Sequence, residues 1–242
     1  MSAMAKPRRR SRSAEVPPAR RKLRLGRLLW RGLLGVLAAV LLVTLLYRVI
    51  NPPTTPYMFA EGRRTGGVTQ DWVSLSDIAP VMVRSVVAAE DANFCLHWGL
   101  DVTAIRAALA AGGDRGASTI SQQVVKNVFL WQGRNWTRKA LEAVWTPLTE
   151  ALWSKRRILE LYLNVAEFGR GVFGVQAAAR HYFGVDAADL SAVQAARLAM
   201  VLPDPKGRDA ANPTTAQRRR SASILDGAAT IQADGRATCF ES

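Results

Sequence analysis

The sequence contains few of the residues that build disulfide frameworks and metal centres. Its 242 residues include two cysteines, Cys95 and Cys239, and two histidines, His97 and His181. Two cysteines do not form a disulfide framework. A single bridge between them is possible in an oxidising compartment, but their spacing is no evidence for one. We expect two unrelated thiols. The two histidines lack the spacing of zinc ligands, so they predict no metal site.

Acidic residues are scarce near the N-terminus. Residues 1–31 hold eleven Lys and Arg residues against one acid, Glu15, whereas the remainder of the chain has 22 basic and 18 acidic residues. The net charge of +14 is therefore largely a property of the N-terminal tail. A basic tail is common in proteins that bind nucleic acid, but this one directly precedes an apolar run. We therefore predict a membrane, and no nucleic acid, as its partner.

The apolar run, Gly32–Tyr47, is bounded by two arginines. At about 1.5 Å per residue it spans roughly 24 Å, so neighbouring apolar residues must extend it across a hydrocarbon core of roughly 30 Å. A cleaved signal peptide and a buried core helix are the alternatives. The following sequence, YRVINPP, lacks a small-residue cleavage site, and a core helix would not lie beside eleven positive charges. We predict an uncleaved transmembrane helix over residues 28–50, with the tail (1–27) in the cytoplasm and residues 51–242 across the membrane.

The rest of the chain divides into a linker, a helical domain and a tail. Residues 51–70 are rich in proline and glycine without sustained periodicity, which is typical of a linker. Residues 71–225 have apolar residues at helical spacing and few convincing strands, which predicts one mostly α domain. Residues 226–242 are predicted as a C-terminal tail. Three helices are expected to begin after N-caps at Ser76, Asp101 and Ser118. A long helical pattern over residues 136–164 is expected to have a kink or break at Pro147. Two more helices are expected over residues 172–183 and 190–202.

Two polar stretches are candidates for a binding site. EDANFCLHWG (90–99) places an acid pair, Glu90 and Asp91, beside aromatic residues, and GASTISQQVVKN (116–127) has seven polar residues around one expected helix. Such dense polar residues are unsuited to a core, where each would need a partner. A solvated helix face is the alternative, but Ser and Thr are costly helix material compared with Ala, Glu or Lys. We favour a groove for a polyoxygenated, anionic ligand, which Lys126 and a helix N-terminus would attract.

A cationic stretch follows in GRNWTRKALEAVW (133–145), where Arg138 and Glu142 are spaced as an i,i+4 pair. An ordinary surface ion pair, worth about 0.2–0.5 kcal/mol, is one interpretation. The functional alternative uses the planar guanidinium groups to bind phosphate oxygens. The next stretch, 154–169, has so many apolar residues that we predict a buried packing helix with polar residues at its ends.

Four motifs occur in one order along the chain. They are Glu90-Asp91-x-x-Phe94-x-x-His97-x-Gly99, Gly116-x-Ser118-Thr119-Ile120-x-Gln122-Gln123-x-x-Lys126-Asn127, Arg138-Lys139-x-x-Glu142 and Lys155-x-x-Ile158-Leu159-Glu160-x-Tyr162-Leu163-Asn164. Together they resemble the peptidoglycan glycosyltransferases of family 51, a domain shared with class A penicillin-binding proteins. The likeness covers roughly residues 70–225. The chain has no Ser-x-x-Lys motif and no room for a transpeptidase domain, so it is most similar to the monofunctional biosynthetic transglycosylases of that family.

The resemblance implies a lysozyme-like helical fold and the polymerisation of lipid II, a disaccharide-pentapeptide on undecaprenyl diphosphate. Glu90 corresponds to the catalytic base, which deprotonates the 4-hydroxyl of the acceptor sugar. That oxygen attacks C1 of the donor, inverts it and forms a β-1,4 link as undecaprenyl diphosphate leaves. Since a diphosphate leaves well once its charge is neutralised, one base and several cations can suffice. Glu142 corresponds to a second catalytic acid, which orients neighbouring cations or helps to hold a divalent ion.

The resemblance also assigns binding and supporting residues. Leu141 occupies a position where some relatives carry Lys, so no phosphate contact is predicted there. The residues implied for substrate binding are Ser118, Gln122, Gln123, Lys126, Asn127, Arg134, Arg138 and Lys139. The residues implied for support around the catalytic base are Asp91, Phe94, His97 and Gly99.

The implied partners are lipid II, the growing lipid-linked glycan and the membrane. A divalent cation (Mg²⁺ or Mn²⁺) near the donor diphosphate and recruitment by cell division or elongation proteins stay open. The implied location is the bacterial inner membrane, crossed once, with a periplasmic catalytic domain. Two other functions are alternatives. A lysozyme-like glycan-cleaving enzyme is disfavoured by the cationic stretch, and an inactive membrane scaffold is disfavoured by the complete set of acidic and basic motif residues.

Overall fold

A computed structural model describes residues 18–110, 112, 118–133 and 135–241 of the chain. Arg134, which the resemblance assigns to substrate binding, lies outside the described residues. The chain divides into two compact units, Met1–Leu46 and Tyr47–Ser242.

The N-terminal unit is built on one long helix, α1 (Pro18–Tyr47). Its segment Gly26–Tyr47 has 22 residues and a mean hydropathy of 2.2. At about 1.5 Å per residue this segment is roughly 33 Å long, which is enough to cross a bilayer core. Large apolar side chains such as Leu29 and Leu42 are exposed on it, as a helix surrounded by lipid requires. The sequence prediction of an apolar helix of membrane-spanning length is confirmed, although the helix ends at Tyr47 rather than at residue 50.

The second unit is mostly α, as the periodicity predicts. Three short strands, β1 (Thr69–Gln70), β2 (Glu167–Gly169) and β3 (Val172–Phe173), form one small sheet in the order β1-β3-β2. Strand β3 pairs parallel with β1 and antiparallel with β2. The helices are α2 (Pro56–Thr65), α3 (Pro80–Glu90), α4 (Val102–Ala110), α5 (Ile120–Phe129), α6 (Trp136–Leu152), α7 (Lys155–Val165), α8 (Val175–Phe183), α9 (Ala192–Val201), α10 (Thr215–Ala233) and α11 (Thr238–Glu241).

Two helix clusters share the core of this unit. Helices α3, α9 and α10 pack against one another, and α5 packs against both α6 and α7. Fully buried Met82, Ile120 and Leu161 belong to one continuous apolar cluster that joins the two groups. Helix α5 therefore lies within the apolar interior although many of its side chains are polar.

The starts of two helices differ from the prediction. Helix α3 begins after Ala79, with Pro80 at its first position, rather than after Ser76. Thr119, not Ser118, caps α5, because its hydroxyl accepts from Gln122 N while the Gln122 side chain accepts from Thr119 N. This reciprocal pair satisfies two donors at once, which one serine placed a residue earlier does not do.

The predicted break at Pro147 is wrong, because α6 continues through that residue; a kink there stays a prediction. Pro147 lies inside α6, which ends at Leu152 with Trp153 as its C-cap. Ser154 then caps α7 by accepting from Arg157 N. The α6 residues Thr146 and Thr149 beside the proline are buried, and tertiary packing of a helix face contributes more to helix stability than local preference does.

Both segments outside residues 71–225 are parts of the fold rather than a linker and a tail. Helix α2 lies within residues 51–70; Thr55 caps its start and Gly66, at φ +82°, ends it. Met58 and Glu61 on α2 are buried. Helix α10 continues past residue 225 to Ala233, and α11 follows it. The helical unit is therefore longer at both ends than the sequence pattern indicates.

A disulfide joins Cys95 to Cys239, so the expectation of two unrelated thiols is wrong. The two cysteines are 144 residues apart in sequence, yet their Cα atoms lie 5.6 Å apart. Sequence spacing carries no information about a pair that only the tertiary fold brings together. The disulfide ties the stretch after Glu90 to α11.

Asn164 connects α7 to the extended segment before α3. Its side chain is fully buried, donates through Nδ2 to Val73 O at 2.9 Å and to Glu160 O at 2.8 Å, and accepts from Val73 N at 2.9 Å. A side-chain amide thus replaces a strand partner for Val73, whose backbone groups would otherwise be unpaired. The polar end of this packing helix is structural, as the sequence pattern predicts.

We expect Asn164→Leu to destabilise the fold. The leucine leaves both backbone groups of Val73 without their partner, which costs about 1–3 kcal/mol for each buried group. Chemical denaturation of the detergent-solubilised protein measures the free energy of unfolding. The matched change at exposed Asn212 should stay within about 0.5 kcal/mol of wild type, and equal losses at the two positions would contradict the structural role of Asn164.

Candidate active site

Glu90 lies at the C-terminal end of α3 and faces α5. Its Oε2 accepts from Gln123 Nε2 at 2.8 Å. Burial raises the pKa of Glu90 above its ordinary value, and the Gln123 hydrogen bond and the charges of Lys126 and Arg220 oppose that rise only in part. A carboxylate that is less stable than in water and fixed by one hydrogen bond is suited to accept a proton from a bound hydroxyl.

Asp91, the other member of the acid pair, is engaged at both oxygens. Oδ1 lies 2.8 Å from His97 Nε2, and Oδ2 accepts from Ile120 N at 3.0 Å. Ile120 is the first residue of α5, so Asp91 ties the loop after Glu90 to the start of that helix. This is the geometry that a supporting role requires, since neither oxygen is directed to a ligand.

Phe94 and Gly99 shape the same loop. Phe94 is completely buried, and the Lys155 ammonium lies 4.4 Å from the centroid of its ring. Gly99 has φ +79°, and a Cβ there would lie 2.6 Å from Thr146 Cγ2, so only glycine fits. Its carbonyl accepts from Thr119 Oγ1 at 2.6 Å. The first motif is therefore a loop whose side chains mainly position the start of α5.

The second motif divides into structural and exposed parts. Gln122 and Asn127 are buried: Gln122 serves the capping pair with Thr119, and Asn127 Oδ1 accepts from Gln132 Nε2 at 3.1 Å. Gln122, which the resemblance assigns to substrate binding, therefore has its side chain engaged in the cap of α5. Gln123 hydrogen-bonds to Glu90, and Lys126 lies within electrostatic range of Glu90 and Glu142.

Two cavities lie beside the Glu90–Gln123 pair, one lined by Glu90 and the other by Gln123. One, of about 210 Å³, includes Glu90, Asp91, Ser118 and Thr119 among its walls. The other, of about 190 Å³, is lined by Gln123 and Lys126. The remaining residues of this second cavity are Tyr57, Asn127, Gln132, Tyr162, Ala166, Glu167, Leu202, Pro203 and Pro205. The hydrogen bond from Gln123 to Glu90 therefore joins a wall residue of the second cavity to a wall residue of the first.

Lys126 is surrounded by charge of both signs. Burial lowers its pKa, while Glu142 and Glu90 raise it and Arg138 and Lys139 lower it further. The ammonium therefore lies within electrostatic range of both candidate catalytic acids. An anion bound next to it would restore the stability of the charged form.

Glu142 is enclosed by two cations at the start of α6. Arg138 Nη1 lies 2.6 Å from Oε2, and Lys139 Nζ pairs with Oε1. Arg138 and Glu142 are buried, so the surface ion pair considered from the sequence is wrong. Arg138 Nε also donates to Gly133 O at 2.9 Å, and Lys139 Nζ donates to Ser118 Oγ at 3.1 Å. Beside this cluster is a cavity of about 330 Å³ lined by Asn135, Trp136, Arg138 and Lys139.

These residues do not fit a divalent cation. Both carboxylate oxygens of Glu142 face cationic side chains, which occupy the positions that a metal ion would need. Among the residues that the structure describes, no three His, Cys, Asp or Glu side chains are grouped as metal ligands. Hard divalent ions need several oxygen ligands, and the oxygens at this point are already neutralised.

Arg220 is a residue of the site that the sequence motifs do not indicate. It lies on α10, donates through Nη2 to Ala89 O at 3.2 Å, and lowers the pKa of Glu90 by its charge. In the sequence it is one of three consecutive arginines, Arg218–Arg220, whose pattern is that of a solvated face. Only the packing of α10 on α3 distinguishes it.

We expect Glu90→Gln to leave the fold as stable as wild type, or more stable, at neutral pH. The folded pKa of Glu90 is above its unfolded value, so its contribution to stability is present at low pH and is lost as the pH rises through the folded pKa. The thermal midpoint of the variant relative to wild type should therefore increase as the pH rises above about 4.3, the ordinary pKa of a glutamate.

Asp101→Asn is the control with the opposite sign. The N–H of Ala104 and the amide of Asn93 lower the pKa of Asp101, so its charge stabilises the fold above the unfolded pKa and the benefit is lost as the pH falls. Its variant should lose stability at neutral pH. A marked loss of stability at neutral pH on Glu90→Gln would show that the carboxylate of Glu90 is needed for folding.

The chain resembles known proteins over most of its length. A family model described as transglycosylase matches residues 60–229. A biosynthetic peptidoglycan transglycosylase of Jannaschia sp. is 61% identical over 214 residues, which cover 88% of this chain and 90% of the relative. A protein of the same name from Rhodospirillum centenum is 48% identical, with 88% and 96% covered. Another, from Xanthomonas campestris pv. campestris, is 49% identical, with 86% and 89% covered. The matched region begins within α2 and contains every motif residue of the site, and the chain belongs to the transglycosylase family.

Proposed function

We propose that this protein is a peptidoglycan glycosyltransferase that polymerises lipid II into β-1,4-linked glycan strands for the cell wall, without transpeptidase activity. The relatives at 48–61% identity carry the name biosynthetic peptidoglycan transglycosylase. The observation that carries the proposal is the hydrogen bond between Glu90 and Gln123, because it holds a poised base on α3 against α5, the helix that carries Lys126.

Glu90 is the general base in this mechanism. Gln123 fixes one oxygen of its carboxylate, and the other accepts the proton of the acceptor sugar's 4-hydroxyl. The freed oxygen attacks C1 of the donor MurNAc from the face opposite the diphosphate, which inverts that carbon. Burial helps because it raises the proton affinity of Glu90, and a base is most effective when its pKa approaches the working pH.

The leaving group requires positive charge rather than a proton. Undecaprenyl diphosphate departs with its electrons, and Lys126, Arg138 and Lys139 neutralise the developing charge. Glu142 keeps Arg138 and Lys139 in place through its two oxygens, so we assign it a positioning role among the cations. Ser118, a partner of Lys139, belongs to the same binding surface. Arg134 is proposed here from the motif resemblance alone.

A glycan-cleaving enzyme would need a different site. Glycoside hydrolysis uses two carboxyl groups, one to protonate the leaving oxygen and one to activate water or act as the nucleophile. The neighbouring acid Asp91 is engaged at both oxygens, and Glu142 is held between two cations. One free base beside a set of cations favours transfer from a lipid diphosphate.

The membrane helix belongs to the function because both substrates carry lipid tails. We propose a single-pass protein of the bacterial inner membrane with a cytoplasmic N-terminus and a periplasmic catalytic unit. The basic tail supports that orientation, and the Cys95–Cys239 disulfide supports an oxidising compartment for the catalytic unit. Recruitment of the protein by cell division or elongation proteins stays a prediction.

We expect Glu90→Gln to reduce the turnover number for lipid II by about 10²–10⁴-fold, the usual contribution of a general base. Asp226→Asn, which removes one carboxylate from the exposed face of α10, is the matched control and should keep wild-type turnover. Polymerisation of labelled lipid II by the purified protein, followed by gel separation of the glycan strands, gives both rates. Wild-type turnover in the Glu90 variant would disprove the assignment of the base.

We expect Lys126→Met to lower the turnover number by about 10²–10³-fold, because a partly buried cation at a leaving group acts mainly in the transition state. Lys126→Arg retains the charge and should recover part of the rate. The dependence of the initial rate on lipid II concentration separates the turnover number from KM. A rise in KM with unchanged turnover would mean that Lys126 only binds the substrate.

A further inference from the structure

The loop that follows Glu90 is covered by a segment from the far end of the chain. We call residues 91–97 the base loop and residues 234–241 the clamp segment. The disulfide Cys95–Cys239 joins the two, and the rings of Phe94 and Phe240 lie 6.5 Å apart beside it. Arg236 Nη1 adds a hydrogen bond to Ala92 O at 3.0 Å. One covalent bond and two further contacts thus hold the base loop from outside.

The clamp segment is itself anchored on two helices. Glu241 Oε1 pairs with Arg84 Nη1 at 2.6 Å on α3, the helix that carries Glu90. Arg156 Nη1 on α7 donates to Phe240 O at 2.9 Å. Phe240 is buried in the core. The segment therefore connects α3, α7 and the base loop, so its position constrains all three.

The base loop in turn sets the start of α5. Asp91 holds Ile120 N and His97, and Lys155 Nζ donates to His97 O at 2.7 Å. Helix α5 then provides Gln123, which binds Glu90. A displacement of the base loop would consequently change the alignment of the base with Gln123 and the cations that follow it.

The base loop has little regular structure to keep this alignment without help. It contains one short 3-10 turn, Phe94–Leu96, whose backbone bonds are local. Segments that depend on few hydrogen bonds open more easily than helices of the core. The disulfide replaces the missing regular structure by a covalent tie to a buried segment.

We propose that the clamp segment, through the Cys95–Cys239 disulfide, positions the catalytic base, so that full turnover requires the oxidised form. The proposal rests on the proposed function of the site. Forming the bond removes two electrons and two protons from the two thiols, and a protein disulfide of an oxidising compartment accepts them by thiol–disulfide exchange. Cys239 is thereby a positioning residue that acts through the base loop.

The test compares the oxidised full-length protein with the same protein reduced by a phosphine, which takes up one oxygen atom from water as the disulfide becomes two thiols. Misplacing a catalytic group by about 1 Å can cost on the order of 100-fold in rate. A partial loosening of the base loop should therefore lower the turnover number for lipid II about tenfold. KM should change by less than about twofold. Circular dichroism below the thermal midpoint confirms that the reduced protein is folded.

The Cys95→Ser/Cys239→Ser variant is the second arm. It should have the turnover of the reduced wild type and should not respond to the phosphine. A readout that mere loss of stability would not move is the dependence of turnover on pH. The base loop lines the cavity of Glu90, so loosening it admits water and should shift the acidic limb of the profile to lower pH.

Each outcome decides the matter. Turnover of the reduced protein within about twofold of the oxidised protein, with an unchanged pH profile, would overturn the positioning role. Loss of turnover only in proportion to loss of folded protein would also overturn it. Oxidised wild type that forms no glycan at any pH would instead disprove the proposed function, and the inference would fall with it.

Discussion

Helix α5 crosses the apolar interior with polar side chains, and each of them needs a partner there. Thr119 and Gln122 satisfy one another at its start. Ser121 donates to Glu150, and Gln123 donates to Glu90 while it accepts from Tyr162 OH. The neighbouring elements must therefore present hydrogen-bond partners at fixed positions along α5. The base of the site is one of these partners, so its position follows from the packing of the helix.

The same burial explains why the site is chemically poised. Burial raises the pKa of Glu90 and lowers that of Lys126, so each charged form is less stable than in water. The charged forms of both residues therefore reduce the stability of the fold. A proton from a bound hydroxyl would remove this cost at Glu90, and a bound anion would remove it at Lys126. Glu142 differs, since Arg138 and Lys139 neutralise it within the fold. Its pairing keeps two cations aligned without a bound ligand.

Much of the fold and the centre of the site could be predicted from the sequence, because helical periodicity and ordered motifs are local signals. The start of α5 at Thr119 rather than Ser118 depends on a reciprocal bond that composition does not reveal. Helix α2 is short and lies in a Pro- and Gly-rich stretch, so its signal resembles that of a linker. The Cys95–Cys239 bridge and the approach of Arg220 to Glu90 arise from packing between distant segments. Such contacts leave no pattern along the chain.

The proposed reaction depends on how the acids of the site are engaged. A hydrolase keeps two free carboxyl groups across one bond, whereas here Asp91 is engaged by His97 and the start of α5. Glu142 neutralises Arg138 and Lys139, and Glu160 of the fourth motif pairs with Arg157, so we assign to Glu90 the exchange of a proton with a substrate hydroxyl. A leaving group that needs no proton is then the consistent choice, and a diphosphate beside Lys126 meets that condition. The arrangement therefore supports the proposed transfer to a sugar hydroxyl rather than to water.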